Sequence, residues 1–592
     1  MAMGIPNFIE NNFIPRIPKE ALAQQRQKQK SHFFSKGKAL GDDEEKDNQS
    51  FYTIETDSTS EDQFKLHRSL KGRHVQLLLI GATIGSLLFV TIGTALVQGG
   101  PLNLFLGFLI WSFPILFITM STAEMVSHIP ITSPFVRLAG RCCDRALEVT
   151  TGWNFWFLCC SQIPFEVTTV NSIIHFWRSD YSPAIPLAIQ MVLYFFINLF
   201  GVSVYGEVEF LLSLGKVVLA TGLIVFTFIV MVGGNPQHDA FGFRYWRDPG
   251  PMATYMNTGD LGRFQGFVAC LIRACFTFSG PEYVASIASE TINPRKTLPS
   301  AFKQVFIRLT VFFIGGALSV GILVAYNDPV LRQTSGASSP GAGGSPYVIA
   351  MQNLNIKVLP HIVNVLLVSA AFSAGNSYTY CSSRTLYGIA MDGYAPKILT
   401  ATTKNGIPLY CMLISLCWAF ISFLQLGNQA SLVLDWIINL VTSCQLINFS
   451  ILCLTYCFYY RALKAQKIDR NSLPFKCWGQ PYLAIIGGIS AFAMIFICSY
   501  QLFLNGGWDV KQFLFSYLFL FIDIGIFFVY KIFRKTKWHD PKKVDLVTGL
   551  KEVELHEEEI SEVLAHKEEL RRQYGGRRWY HRLQVLILGS DL

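Results

Sequence analysis

Charge is scarce in this sequence. Asp, Glu, Lys and Arg make up only 15% of its 592 residues, against 51% hydrophobic and 14% aromatic. With a mean hydropathy of +0.35, the composition is too apolar for a string of soluble domains. No Walker A pattern, nucleotide-binding fold, zinc-ligand spacing or catalytic-triad pattern occurs, so the sequence points to no enzyme chemistry and no cofactor. The 14 cysteines lie mostly inside apolar runs, and the pairs Cys142-Cys143 and Cys159-Cys160 lack metal-ligand spacing; they read as small packing residues. A net charge of +9 would suit nucleic acid as a partner. However, the basic residues sit between apolar runs and in the tails, which excludes that reading in favour of topology determinants. Residues 1–71 are polar and contain no apolar h-region; they read as a mostly disordered cytosolic tail whose lysines and serines would suit ubiquitin-ligase adaptors and kinases.

What is present is a series of long apolar runs. About twelve are of membrane length. They begin near Gln76, Leu102, Thr151, Pro183, Val208, Phe264, Val305, Leu359, Leu409, Leu432, Tyr482 and Phe513, the tenth being the least well delimited. The loops after even-numbered spans are basic, as at Arg137, Arg141 and Arg145 or at Arg461, Lys464 and Arg470. The positive-inside rule therefore places both termini in the cytosol. The reading is an all-α polytopic protein embedded in the lipid bilayer. Residues 72–534 form the transmembrane domain, and 535–592 a cytosolic C-terminal tail.

Two of these runs are interrupted in the middle. The first carries Gly81-Ala82-Thr83-Ile84-Gly85-Ser86 and the sixth Phe278-Ser279-Gly280-Pro281-Glu282. Glycine or proline at mid-depth frees backbone groups that no water can satisfy, so such a break belongs beside a protein cavity. Broken helices five spans apart and running in opposite directions predict an inverted 5+5 repeat with discontinuous helices 1 and 6, plus two extra helices. Free N–H groups over Ala82, Thr83, Ile84, Gly85 and Ser86 would suit a substrate carboxylate, and free carbonyls over Phe278, Ser279 and Gly280 an ammonium. The alternative for the first break is close helix packing through Gly81 and Gly85.

Few ionisable groups lie inside the spans. Lys216, alone in the fifth, must snorkel, pair or titrate. Glu282 follows the second break and suits either proton exchange or a structural hydrogen bond. Arg273 lies about two helical turns outward of that break and would line an outer vestibule. Glu124 and Glu166 read as helix-bonding or loop-pairing groups, and Asp523 carries no site role. Trp153, Trp156 and Phe157 with Phe276 and Phe278 form an apolar gate, a cation–π surface or ordinary packing.

The run Leu66-His67-Arg68-Ser69-Leu70-Lys71-Gly72-Arg73 leading into the first break resembles the fungal amino-acid permeases, a branch of the amino acid-polyamine-organocation superfamily. Phe278-Ser279-Gly280-Pro281-Glu282, Ser289-Glu290-Thr291-Ile292-Asn293-Pro294-Arg295-Lys296 and Ser345-Pro346-Tyr347 extend that resemblance to the last span. It implies a plasma-membrane permease that imports amino acids, or carnitine and polyamines, together with protons. It also implies coupling roles for Lys216 and Glu282. Leu87 stands where the family pattern has glycine, which narrows the carboxylate site. A nutrient sensor of the same fold that binds amino acids without passing them is the alternative.

Overall fold

A computed structural model describes residues 88–547 apart from 131–132, 179, 200–201, 288–293, 336–344, 404–405, 427–429 and 505. The first break, Gly81 to Leu87, and both outer tails lie outside the described residues. Within them the chain is a bundle of helices. Helix α1 (Ile92–His128) contains the end of the first run and all of the second, folded back at Gly100, whose φ is 77° and ψ 174°. This left-handed backbone suits glycine, and a Cβ there would lie 2.6 Å from the Ala253 amide nitrogen. The chain at 251–253 pins the turn: Ala253 N–H donates to the Gly99 carbonyl and Leu102 N–H to that of Pro251, each at 2.9 Å.

The short α2 (Pro134–Cys142) leads into α3 (Arg145–Ile174), which starts at an Asp144 N-cap accepting from Ala146 N–H. Next come α4 (Ala184–Leu199), α5 (Val202–Met231), α6 (Gly259–Thr277) and α7 (Pro281–Ile287). They are followed by α8 (Pro294–Leu323), the short α9 (Pro346–Asn353), α10 (Leu359–Met391) and α11 (Leu409–Cys417), the last continued by a 3-10 segment to Leu426. The bundle closes with α12 (Ala430–Ala465), α13 (Tyr482–Ile497) and α14 (Val510–Arg534). Each expected run from the second to the twelfth thus has its helix, and the doubtful tenth is one continuous element. Among the described residues, seven helices are long and apolar enough to cross a membrane, and three shorter apolar ones accompany them.

Burial separates two kinds of helix face. On α4, Ile185, Ile189, Val192 and Phe196 are exposed, and on α14 Leu514, Phe521 and Phe528 are. Such apolar rows would be costly in water, and lipid is the solvent that suits them. By contrast α12 is buried along most of its apolar length and forms the inner wall. The first run meets α6 closely, since a Cβ on Gly99 would lie 2.2 Å from Cys270 Sγ and 2.8 Å from the Gly266 carbonyl oxygen.

One end of the bundle is tied by ion pairs. Arg137 on α2 grips both oxygens of Asp392, at 3.2 and 2.9 Å, just past α10. Glu124, fully buried near the end of α1, is held by Arg470 at 2.9 and 2.8 Å and by Cys477 N–H at 2.9 Å. Beyond α14 the chain does not leave this end. Trp538 stacks on Phe458 at 5.2 Å between ring centres, and His539 N–H donates to the Cys143 carbonyl at 2.9 Å. Gln466 Nε2 donates to the carbonyls of Pro541 and Val544, and Lys531 pairs with Asp144. Val544 and Leu546 are buried, so the segment expected to open the polar tail is packed on the bundle through its apolar residues.

Candidate substrate-binding site

The break in the sixth run is present. Helix α6 ends at Thr277, with Phe278 as C-cap at φ −83° and ψ 94°, and α7 restarts at Pro281. Proline needs no N–H partner at the first position of a helix, which is why the restart falls there. The Phe278 carbonyl, expected to stand open, does not: Gln445 Nε2 on α12 donates to it at 2.6 Å. A long polar side chain on the facing helix has filled the acceptor that the break created. The Phe278 ring is wedged against Phe108 at 5.9 Å and Phe313 at 4.5 Å.

Other polar atoms around the break remain unsatisfied. Ser279 Oγ, both carboxylate oxygens of Glu282, Gln445 Oε1 and both amide atoms of Asn448 are buried without a hydrogen-bond partner. Leaving a neutral polar atom in that condition costs about 1–3 kcal/mol, and a charged one more. So dense a group beside one helix break marks a place that a polar ligand or water completes. Glu282 is itself fully buried, and Tyr283 beside it contacts Tyr378 at 5.5 Å and Phe155 at 5.8 Å.

The second polar assembly lies between α5 and α10. Lys216 is buried, which rules out snorkelling, and pairs with Glu209 at 3.9 Å, both side chains having no exposed area. Glu209 Oε1 also accepts from Ser373 Oγ at 2.5 Å and from Ser213 Oγ at 3.4 Å. Further along, Tyr205 donates to Ser377 and stacks on Tyr380 at 3.8 Å, with the Arg384 guanidinium 3.3 Å from the Tyr380 ring centre. Asn198 donates to Asn376 Oδ1 at 2.8 Å. Positions 205, 209, 213 and 216 share one face of α5, and 373, 377, 380 and 384 one face of α10.

The remaining candidates divide. Arg273 lies 3.5 Å from Asp435 rather than standing alone. Trp156 and Phe157 pack with Trp418, Trp153 packs on Trp156 and Phe157, and Phe157 also meets Phe519; Phe276 instead meets Phe165 at 5.3 Å. These aromatics form separate packing clusters, not one gate. Ala82, Thr83, Ile84, Gly85 and Ser86 lie outside the described residues. Asp523 is buried with neither carboxylate oxygen hydrogen-bonded.

Comparison with known proteins decides the family. The amino acid permease family matches residues 74–543. The chain belongs to it. The general amino acid permease AGP2 of Saccharomyces cerevisiae is 54% identical over 502 residues, covering 83% of this chain and 84% of that protein. A dicarboxylic amino acid permease of the same yeast is 34% identical over 523 residues, covering 87% and 86%. A proline-specific permease of Emericella nidulans is 35% identical over 497 residues, covering 82% and 89%.

The protein is thus a multi-pass amino-acid transporter and not an enzyme. In this permease the break between α6 and α7 faces α12, and the buried ion pair within α5 is tied to α10 through the Ser373 hydrogen bond to Glu209. Sequence reading missed Glu209 and Gln445. Glu209 had a signal, lying seven residues before Lys216 and so on the same helix face. Gln445 had a weaker one, a polar residue inside an apolar run.

Proposed function

We propose that this permease imports amino acids or related amines across the plasma membrane by proton symport, with both termini in the cytosol. The supporting observation is the break at Phe278 to Gly280, whose surroundings hold a fully buried carboxylate, Glu282, with no side-chain hydrogen-bond partner. A carboxylate in that position is costly when charged, and taking up a proton or a cationic partner relieves the cost. If proton and substrate both favour the same closed conformation, each raises the affinity for the other. Ala82 to Ser86 are proposed to receive the substrate carboxylate, the Phe278 to Gly280 region its amino group, and Lys216 and Glu282 to serve the proton.

Orientation is supported by the basic loops at the end that carries Arg137 and Arg470. The lysine- and serine-bearing tails would then be open to ubiquitin-ligase adaptors. The named relatives differ in substrate (general, dicarboxylic and proline-specific) while sharing most of their length with this chain, which supports a common amino-acid framework with separately tuned side-chain contacts. Uptake of labelled amino acids, carnitine and spermidine at pH 5 and pH 7, in cells lacking their own permeases, tests the proposal. Uptake that rises at low pH and collapses in Glu282→Gln is expected. Surface expression with no uptake of any of them would favour a sensor instead.

A further inference from the structure

We infer that Gln445 sets how the permease receives the substrate's amino group, replacing the Phe278 backbone carbonyl with its own side-chain oxygen. A backbone carbonyl only accepts, so the amide end 2.6 Å from it must be Nε2, and Oε1 must face the other way. That oxygen is buried and unpartnered. The amide therefore works as a relay: it satisfies the acceptor exposed by the break and presents an equivalent acceptor one side chain further into the bundle. Ser279 Oγ, next to Phe278 in the chain, and Asn448 are also unsatisfied, and Asn448 follows Gln445 by three residues on the same face of α12. An ammonium group carries several N–H donors and fits such a set of neutral oxygens. Methyl groups on the nitrogen remove those donors one by one.

The inference rests on the proposed amine-binding role of the break, and it predicts selectivity. The probes are L-alanine, L-lysine and L-glutamate, each with its Nα-methyl and Nα-trimethyl derivative. Two readouts are taken on the full-length protein: competition for uptake in permease-deficient cells, and ligand-induced thermal stabilisation after purification. Gln445→Met keeps the bulk, so it shields the Phe278 carbonyl while removing Oε1. The preference for the primary amine over its methylated forms should then shrink about ten- to a hundredfold, the weight of a hydrogen bond to a charged group. Gln445→Ala uncovers the Phe278 carbonyl and should recover much of that preference. A residue that merely capped the helix end would weaken both variants without altering the ratio between amines. An unchanged ratio in a surface-expressed Gln445→Met protein overturns the inference. Binding selectivity that shifts as stated, in a protein that accumulates none of the probes, sustains it and overturns the permease reading alone.

Discussion

Removing one partner of the Lys216 and Glu209 pair should destabilise the permease far more than removing both. At 3.9 Å two unit charges attract by about 4 kcal/mol if the effective dielectric constant is about 20. Desolvation of both groups consumes much of that attraction, so the net value of the pair is small. A single substitution is different, because it leaves the other charge buried; Lys216→Met or Glu209→Leu should each cost about 3–5 kcal/mol. Lys216→Met is the milder of the two, since Ser373 and Ser213 still donate to Glu209. The double variant Glu209→Leu/Lys216→Met leaves neither partner's charge buried without the other and should unfold at a higher temperature than Glu209→Leu alone. Thermal unfolding of the purified protein, followed by tryptophan fluorescence, ranks the variants directly. Additive losses, with the double variant the least stable, would refute the coupling.

Further outcomes follow from the same structure. Gly99→Val places side-chain atoms where a Cβ alone would already approach Cys270 Sγ to 2.2 Å, so it should force the first run away from α6 and reduce surface expression. A fluorescent fusion and size-exclusion profile would show this; wild-type yield would contradict it. Trp538→Ala removes the stack on Phe458, worth about 0.5–1.5 kcal/mol beyond burial, and should make the segment from Lys535 to Val547 an early site of limited proteolysis. Acid should loosen the same segment. Burial pushes the Asp144 carboxyl up, but hydrogen bonds from Lys531 and Ala146 outweigh it and hold the group below the usual value of 3.8. A lowered carboxyl stabilises fully above that value and loses the contribution as pH falls through the folded-state pKa. Cleavage of the segment should therefore be slow at pH 7 and rise below about pH 4, and Asp144→Asn should abolish the pH dependence; a flat wild-type profile would argue against the clamp.

The legible parts of the molecule were those set by local sequence. Apolar length gave the spans, and Gly280 followed by Pro281 marked the break, because those residues restrict the backbone whatever lies around them. Lys216 was legible as an anomaly, since a lone cation in an apolar run must find a solution. What that solution is depends on a partner from the same helix face and on Ser373 of a helix 164 residues away. The fate of the Phe278 carbonyl was less legible still. Freed acceptors look alike in sequence, and Gln445, 167 residues distant, closes this one only because α12 packs against the break. Likewise the aromatics of α3 could serve as gate or packing, and only their proximity to Trp418 and Phe519 selects packing.

The docked strap after α14 changes what a deletion in this region can mean. Its backbone and side chains span from the start of α3 to the end of α12, and two of its apolar residues are inside the fold. A chain stopped after Arg534 would lose structural material along with any signals carried farther on, and its failure would say nothing about those signals. A test of those signals keeps the chain through at least Val547. Labels, tags or substitutions placed within 535–547 therefore probe the bundle.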